Sequence, residues 1–550
     1  METFDFIIVG AGSAGCLLAD ALSADGQKTV LLLEAGGDDR RFWIKTPIGY
    51  GKTFFDARVN WKFSTQPDPG LAGRNSYWPR GKVLGGSSSI NAMVYCRGLP
   101  TDYDDWHQAG NPGWSWKDVA PVFARLEKRV RPDGSIQASA ATGLDGMGAL
   151  YVSDREPQYH PIKRFFIAGA QEAGLPLTTN MNGAAPEGVG AYQTNTYRGL
   201  RFSSADAFLR PALRRPKVKL QTHTLVHRVL LQDRRATGVE YEVNGQVVQA
   251  SARLEVLLCA GAVNSPKLLQ LSGIGPAALL QKHGLPVVHD NPFVGAGLQD
   301  HLGINYTYRA TQPTLNGVLG SWSGRLAAGL RYVLLRSGPL SLSVNQMGGM
   351  VKSSAQLDRP DVQLYFTPVS YSTEQVGKRQ LLKPDPYPGF IIGFNPCRPL
   401  STGHIEIASA RPQDDPLIRP HYLSAPEDSA GVLAGARLIG QLHSTPSMRQ
   451  LIVGQPEIDL ANASDAQILD DFRARSGTVY HPCGTCRMAP ANQGGVVDAQ
   501  LRVHGVQALR VVDASIFPNI TSANTHAPTV MVAAQAARYI QQTYPKDPRP

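Results

Sequence analysis

The hydrophobic pattern at the start of the chain predicts a strand, a helix and a second strand. Residues 4–9 are a short run of apolar and β-type positions, and residues 28–33 form a second apolar run that ends before Glu34. Between them, residues 16–23 repeat apolar positions at helical spacing. The glycine-rich segment Gly10-Ala-Gly-Ser-Ala-Gly15 joins the first run to the helix. The order predicts a βαβ unit and a parallel sheet.

The glycines of this unit form a complete dinucleotide-binding fingerprint. Gly10 permits a tight turn, Gly12 lets the backbone approach a pyrophosphate, and Gly15 lets the helix pack closely on the sheet. Glu34 lies 19 positions after Gly15, where an acidic residue hydrogen-bonds an adenosine ribose. The pyrophosphate is expected at the helix N-terminus, where free N–H groups favour an anion. Further contacts are expected from Ser13, Ala14 and Ala35. The fingerprint fits FAD or NAD, and its position at the start of the chain favours FAD.

The middle of the chain has a different character. Residues 361–366, 389–394 and 403–408 are typical of antiparallel strands, and they lie in a block of roughly 310–460. Residues 257–275 predict a strand, a turn of small residues and a helix. A last helix is expected to extend through Tyr539.

Composition and charge restrict the class of protein. The 550 residues are 42% hydrophobic and 18% charged, which indicates a globular chain. The 55 glycines and 40 prolines follow no period, which excludes collagen and disfavours a helical bundle. The net charge of +10 comes without zinc-ligand spacing, an RNP-like stretch or a basic helix, so nucleic acid is not an expected partner. A simply basic soluble protein is the first interpretation, with weak attraction to an anionic membrane as the alternative. No leader and no membrane-length apolar run is found, so we expect a cytoplasmic protein, with peripheral membrane contact left open.

The six cysteines predict no disulfide framework. Four are isolated in apolar or glycine-rich contexts, as expected for reduced, buried thiols. Cys483 and Cys486 form a C-x-x-C pair, which could be a redox dithiol or half of a zinc site. Neither a thioredoxin-like unit nor a second ligand pair accompanies it, so we expect no metal and no dithiol chemistry.

Five further segments carry motifs, and they occupy residues 78–95, 257–275, 480–488, 509–518 and 522–531. The first contains Gly85-Gly-Ser-Ser-Ser-Ile-Asn-Ala-Met-Val94, and the third begins Tyr480-His-Pro. Together with the glycine fingerprint, and in this order, they resemble the glucose–methanol–choline (GMC) oxidoreductases, a family of FAD enzymes. The resemblance runs from Gly10 to about Ile540 and is strongest to the bacterial alcohol and choline dehydrogenase-like members.

The resemblance implies an α/β (α+β) fold of two domains. A Rossmann-like FAD-binding domain would comprise residues 1–155, 200–310 and 460–550. A substrate-binding domain built on an antiparallel sheet flanked by helices would comprise residues 156–199 and 311–459.

The resemblance also implies how FAD is bound. The loop from Gly85 to Val94 would lie beneath the isoalloxazine, and the main chain of Val226 would meet the adenine. The implied contacts of the loop are Gly85, Gly86, Ser87, Asn91, Ala92, Met93 and Val94, and those near the C-terminus are Asp513, Ala514, Asn524 and Thr525. Some members attach FAD through a histidine at the position of Ile90, and isoleucine cannot form that bond. We therefore expect non-covalent FAD.

The chemistry implied is the oxidation of an alcohol. The hydroxyl proton needs a base with a pKa near the working pH, and the resemblance assigns that base to His481. The partner position is Asn524, which can hold the substrate oxygen but cannot act as a base. Of the other histidines, we expect His526 to lie on the surface at the start of a helix, and His301 and His504 to be structural.

The substrate is less well defined by the sequence. Choline-handling relatives carry a carboxylate in a Glu-x-Gly-Gly context, where this chain has Gln346. Apolar positions nearby suggest an apolar pocket, although all could be core: Met347, Met350, Tyr365 and Phe366. We favour a dehydrogenase of primary aliphatic or aryl alcohols that passes electrons to a quinone or another carrier. Choline dehydrogenase, an oxidase that uses O₂, an FAD-containing hydroxynitrile lyase and a non-catalytic flavoprotein remain alternatives.

Overall fold

Two sheets organise the structure, a computed structural model that describes residues 1–137, 149–376, 379–454 and 456–545. The first sheet has seven strands, with the first strand (Glu2–Val9) near its centre. This strand pairs in parallel with Val30–Leu33 on one side and with Gln246–Leu258 on the other. The helix Ser13–Ser23 connects the first two strands and confirms the predicted βαβ unit. The remaining strands of the sheet are Val218–Gln221, Thr224–Gln232, Arg235–Val243 and Leu509–Val511.

Helices cover this sheet, which explains why its central strands are apolar runs rather than alternating ones. Every residue of Val30–Leu33 is buried, as expected for a strand with both faces covered. The first helix (Ser13–Ser23) packs against the last helix (His526–Thr543). The last helix also contacts Trp116–Leu126. The two ends of the chain therefore form one core.

The second sheet is antiparallel and has six strands. The predicted strands at 361–366 and 389–394 are observed as Val362–Thr367 and Gly389–Pro396, and they pair with each other. The third predicted strand, at 403–408, is Gly403–Glu406 and lies in a separate three-stranded sheet. The other strands of the six are Leu302–Ala310, Met347–Val351, Ile452–Val453 and Gly477–Thr478. Helix Pro426–Ser444 packs on this sheet, so the expected fold class is confirmed.

The second sheet draws on residues from both predicted domains. Leu302–Ala310 and Gly477–Thr478 belong to it, although they fall in ranges predicted for the FAD-binding domain. The domain boundaries themselves stay a prediction.

The other elements connect and flank the two sheets. The further helices of six residues or more are Pro100–Gln108, Lys163–Glu172, Gly261–Leu271, Ala277–Lys282, Leu315–Gly320, Trp322–Leu335, Pro446–Leu451 and Asp465–Arg475. The shorter sheets contain Phe63–Ser64 with Tyr77–Trp78, Glu127–Val130 with Leu150–Ser153, Thr196–Tyr197 with Leu200–Arg201, Ile274–Gly275 with His289–Asp290, Tyr371–Val376 with Arg379–Pro384, and Ala296–Leu298 and Leu417–Arg419 with Gly403–Glu406. Across the described ranges, no helix combines the length and apolar character needed to cross a bilayer.

Candidate active site

A cavity of about 550 Å³ is lined by residues of both sheets, a size usual for small-molecule and cofactor sites. Most of the predicted site residues line it. They are Gly10, Gly12, Ser13, Ala14, Glu34, Ala35, Gly86, Ser87, Asn91, Ala92, Met93, Val94, Val226, His481, Asp513, Ala514, Asn524 and Thr525. Gly15 and Gly85 do not line the cavity, but they allow the chain to pack closely just behind it. The structure thus brings together positions from the whole length of the chain.

The glycine turn forms one end of the cavity. Gly10 has φ +102°, and a Cβ there would lie 2.5 Å from the carbonyl oxygen of Cys259. A Cβ on Gly15 would lie 1.9 Å from the carbonyl oxygen of Gly10, so the helix can pack this closely only with glycine. The helix that follows has no side-chain cap. Its first N–H groups are therefore available to an anion.

Glu34 is buried beside this turn. Its Oε2 accepts the N–H of Ala11 at 2.9 Å, and its Oε1 accepts the N–H of Gly36 at 2.8 Å. Burial raises the pKa of Glu34 to about 7 against these two hydrogen bonds. The carboxyl group therefore holds the turn in shape as well as lining the cavity.

The loop from Gly85 to Val94 meets the glycine turn directly. A Cβ on Gly86 would lie 2.7 Å from the Cα of Gly12, so Gly86 must be glycine for the two segments to meet. Arg201 holds the loop from behind, donating to the carbonyl oxygen of Asn91 at 2.6 Å and to its Oδ1 at 2.8 Å. Arg201 is fully buried, and nothing in the sequence around it predicts that it supports the loop.

Asp513 joins two further segments at the cavity. Its Oδ2 accepts from Ser265 Oγ at 2.5 Å and from the N–H of Gly261 at 2.9 Å, while its Oδ1 accepts the N–H of Ser515 at 2.8 Å. The start of the helix Gly261–Leu271 is thereby fixed against the segment that contains Ala514.

At the other end of the cavity, His481 lies in a chain of hydrogen bonds. Its Nε2 is 3.0 Å from Nδ2 of Asn524, and its Nδ1 is 2.9 Å from Nδ1 of His301. His301 Nε2 is 2.8 Å from the carbonyl oxygen of Cys397. Gln363 Nε2 donates to Oδ1 of Asn524 at 3.3 Å, which directs the Asn524 amide nitrogen towards His481.

This chain of hydrogen bonds determines which nitrogen of His481 carries no proton. A carbonyl oxygen only accepts, so His301 donates to Cys397 from Nε2. Burial, with a smaller contribution from Arg398, lowers the pKa of His301 to about 4. Neutral His301 therefore accepts at Nδ1, and His481 donates from its own Nδ1. Burial is also the main cause that lowers the pKa of His481 well below its usual range. His481 is thus a neutral imidazole with an unprotonated Nε2.

Two neighbours fix the main chain of His481. Asp300 Oδ1 accepts its N–H at 2.8 Å, and Arg80 Nη2 donates to the carbonyl oxygen of Tyr480 at 2.8 Å. Tyr480 has φ +71°, a left-handed conformation that costs free energy in a residue with a side chain. Tyr422 in turn donates to Oδ2 of Asp300 at 2.6 Å. The position of the imidazole is therefore imposed by its surroundings.

The structure adds to one expectation for the histidines and contradicts another. His301, expected to be structural, contacts His481 directly because the second sheet brings residues 180 positions apart together. His526 was expected at the surface, but it lines the cavity, with Nδ1 3.2 Å from Ser13 Oγ. His526 is half-buried there, at the start of the last helix, which packs against the first. His504 does not line the cavity and hydrogen-bonds the carbonyl oxygen of Ala489 at 3.0 Å.

Outside the glycine-turn end, the cavity lining is rich in aromatic and other uncharged side chains, among them Trp61, Asn345, Tyr365, Thr367 and Ile391. The cation Arg80 also lines the cavity, beside Tyr480. Met347, Met350 and Phe366 are core residues that do not line the cavity.

Gln346, at the position where choline-handling relatives carry a carboxylate, does not line the cavity, and its Oε1 accepts the N–H of His160 at 2.8 Å. Among the described lining residues the only acids are Glu34 and Asp513, both at the glycine-turn end.

Cys483 and Cys486 are buried and form no disulfide. Burial raises the pKa of both thiols well above the usual range, which disfavours the reactive thiolate. Neither cysteine lines the cavity.

Comparison with known proteins identifies the class. Models of the GMC oxidoreductase N-terminal and C-terminal regions match residues 4–303 and 399–533. An alcohol dehydrogenase [acceptor] of Pseudomonas putida is 44% identical, with 98% of this chain and 95% of that protein covered. An oxygen-dependent choline dehydrogenase of Photobacterium profundum is 39% identical, with 99% and 94% covered. The crystal structure of pyridoxine 4-oxidase from Mesorbium loti is 28% identical, with a TM-score of 0.85 and 98% and 99% covered.

The fold and the site define a flavin-dependent oxidoreductase. The chain belongs to the GMC oxidoreductase family, and its cofactor is FAD. The residues present fit FAD, since an uncapped helix N-terminus, two touching glycine loops and a proton-accepting imidazole share one cavity.

Proposed function

We propose that this enzyme oxidises a primary alcohol to the aldehyde, with His481 as the base. The observation that carries the proposal is the unprotonated Nε2 of His481, which lines the cavity beside the amide of Asn524. When the substrate hydroxyl binds, it replaces the direct hydrogen bond between Asn524 and His481: it donates to Nε2 of His481 and accepts from Nδ2 of Asn524. As His481 takes the proton, its Nδ1–H bond to His301 strengthens and stabilises the imidazolium. Bound FAD supplies the hydride acceptor.

We propose that the remaining cofactor contacts are those expected from the sequence. Gly10 to Ala14 would meet the pyrophosphate, Glu34 and Ala35 the adenosine, and Val226 the adenine. The loop from Gly86 to Val94, with Asp513, Ala514 and Thr525, would meet the flavin and its ribityl chain. Support comes from their shared position in the cavity wall.

We propose an apolar aliphatic or aryl alcohol as substrate and an electron carrier such as a quinone as acceptor. The aromatic and other uncharged side chains of the lining support the first, and the 44% identical alcohol dehydrogenase [acceptor] supports the second. Choline is the second candidate, because Trp61 and Tyr365 offer aromatic faces that attract a quaternary ammonium group.

An anaerobic stopped-flow panel tests the proposal. Aliphatic, aryl and cationic alcohols are mixed with the oxidised holoenzyme, and the reduced enzyme is then mixed with O₂ or a soluble quinone. We expect apolar alcohols to bleach the flavin faster than choline does, and the quinone to restore the colour faster than O₂. Faster reduction by choline would overturn the substrate class, and faster reoxidation by O₂ would indicate an oxidase. A flavin that stays yellow with every alcohol would favour a hydroxynitrile lyase or a non-catalytic flavoprotein.

Acid precipitation is expected to release all of the flavin from the holoenzyme. Ile90 lines the cavity where some relatives form a histidyl bond, and its side chain has no nucleophile. The measurement is flavin absorbance in the supernatant and in the pellet. Colour that remains in the washed pellet would contradict non-covalent binding.

The limiting rate of flavin reduction is expected to stay constant from about pH 6.5 upwards to pH 8.5. Because the pKa of His481 is lowered, the neutral base predominates throughout this range, and activity falls only as the pH drops through the lowered pKa. Stopped-flow reduction at saturating alcohol measures this. A rate that already falls on going from pH 8 to pH 6.5 would show that His481 titrates normally.

A further inference from the structure

The helix Trp322–Leu335 exposes an apolar stripe to solvent. Trp322 and Leu334 are 74% and 75% exposed, and the stripe comprises Trp322, Leu326, Leu330, Val333 and Leu334. At 3.6 residues per turn these five positions fall within an arc of about 120°. The opposite side is buried through Ala328 and Tyr332. A soluble protein rarely exposes so continuous an apolar surface without a partner.

The surface extends beyond the helix. The ring of Phe42 lies 6.2 Å from that of Tyr332, and Trp43 lies 4.9 Å from Phe42. Both Phe42 and Trp43 are exposed. Two further exposed aromatic side chains therefore lie beside the helix, on the side of Tyr332. We name these seven residues, Phe42, Trp43, Trp322, Leu326, Leu330, Val333 and Leu334, the apolar face.

The charges around the apolar face are mostly positive. Arg325 and Arg331 lie on either side of the stripe, Arg336 follows the helix, and all three are exposed. Arg40 and Arg41 precede Phe42 and are also exposed, and Arg40 pairs with the exposed Asp38 at 3.8 Å. The sequence contains no acidic residue between Asp300 and Asp358. Such a distribution complements an anionic surface.

We propose that the apolar face docks the enzyme on an anionic phospholipid bilayer, with the helix Trp322–Leu335 lying in the headgroup region. The helix has leucine and tryptophan on one face and arginine on both flanks. Helices with this distribution lie in the plane of the membrane–water interface. With 14 residues, the helix is shorter than the roughly 20 that span a bilayer. A second copy of the chain is a poorer occupant, because pairing two such faces brings arginine against arginine.

The docked orientation places the cavity beside the membrane. Leu315 and Leu319, in the helix just before Trp322, pack in one cluster with Tyr50 and Tyr371. Both tyrosines line the cavity. The docking itself is independent of the alcohol chemistry proposed above.

Co-sedimentation of the FAD holoenzyme with vesicles tests the docking. The vesicles are phosphatidylcholine alone or phosphatidylcholine mixed with phosphatidylglycerol. We expect the wild-type enzyme to sediment with the anionic vesicles only, and L326Q/L330Q/L334Q to bind at least about tenfold less. The matched control is V247Q/L400Q, which alters two residues that are each 57% exposed elsewhere, and it should bind like wild type. Flavin absorbance and rates with a water-soluble alcohol check that each variant is folded.

A second variant separates charge from apolar contact. We expect R325Q/R331Q to bind anionic vesicles more weakly and with less dependence on salt. The proposal is overturned if wild-type enzyme does not sediment with anionic vesicles, or if L326Q/L330Q/L334Q sediments as well as wild type. A wild-type dimer in analytical ultracentrifugation that the apolar variant abolishes, without vesicle binding, would assign the face to self-association.

Discussion

Replacement of His481 by alanine is expected to slow flavin reduction by alcohol by a factor of about 10²–10⁴, with FAD still bound. In the proposed mechanism His481 Nε2 is the acceptor of the hydroxyl proton, and its partner Asn524 offers an amide with no basic nitrogen. Without the imidazole the proton must pass to water or hydroxide. The measurement is the limiting rate of anaerobic flavin reduction at saturating alcohol.

His504→Ala is the matched control, since this histidine is remote from the cavity lining and bonds a main-chain carbonyl. It should reduce its flavin at the wild-type rate. Acceleration of the His481→Ala reaction as the pH rises is also expected, because hydroxide replaces the missing base. An unchanged reduction rate in His481→Ala at neutral pH would refute the assignment of the base.

The second large effect is expected at His301, which we regard as a positioning residue. His301→Leu should lower the limiting rate of flavin reduction about 100-fold, because Nδ1 of His481 loses its acceptor and the tautomer with a proton on Nε2 becomes accessible. The variant also removes the acceptor that stabilises the protonated imidazole of His481, so the pKa of His481 should fall further. The pH below which activity falls should therefore move downwards, which loss of packing alone would not produce. Stopped-flow reduction across pH measures both effects.

His301→Gln serves as the rescue variant, because its side-chain oxygen can accept from His481. We expect it to recover part of the rate and part of the pH profile. If His301→Leu lost activity with an unchanged pH profile, and His301→Gln lost as much, His301 would be structural after all.

The glycine-turn end of the site was predictable because its chemistry is local. Residues 10–15 and Glu34 lie in one βαβ unit, so spacing alone defines their geometry. The position of His481 depends on less local information. Its contacts with His301 and Asp300 join residues 180 and 181 positions apart, and no periodic pattern encodes them.

The sequence was least informative about buried polar support. Arg201 contacts Asn91 across 110 positions, and an isolated arginine is ordinarily a surface residue. The substrate end was no more predictable. Asn345 lines the cavity, whereas Gln346 does not and instead accepts from His160. Both residues precede the strand Met347–Val351, so tertiary packing, and no strand alternation, decides which of them faces the cavity.

The sheet that carries the glycine turn also constrains how the enzyme is made. Its strand Leu509–Val511 pairs with Gln246–Leu258, and Ser13 meets His526 across 513 positions. While the ribosome is still adding residues before 509, the nascent chain lacks that strand, the side chains of Asp513 and Asn524, and the helix that covers the first one. The cavity then lacks the part of its lining that the C-terminal residues supply. We therefore expect FAD to bind only after the last helix has been synthesised. Until then, the early strands expose apolar surface that chaperones can cover.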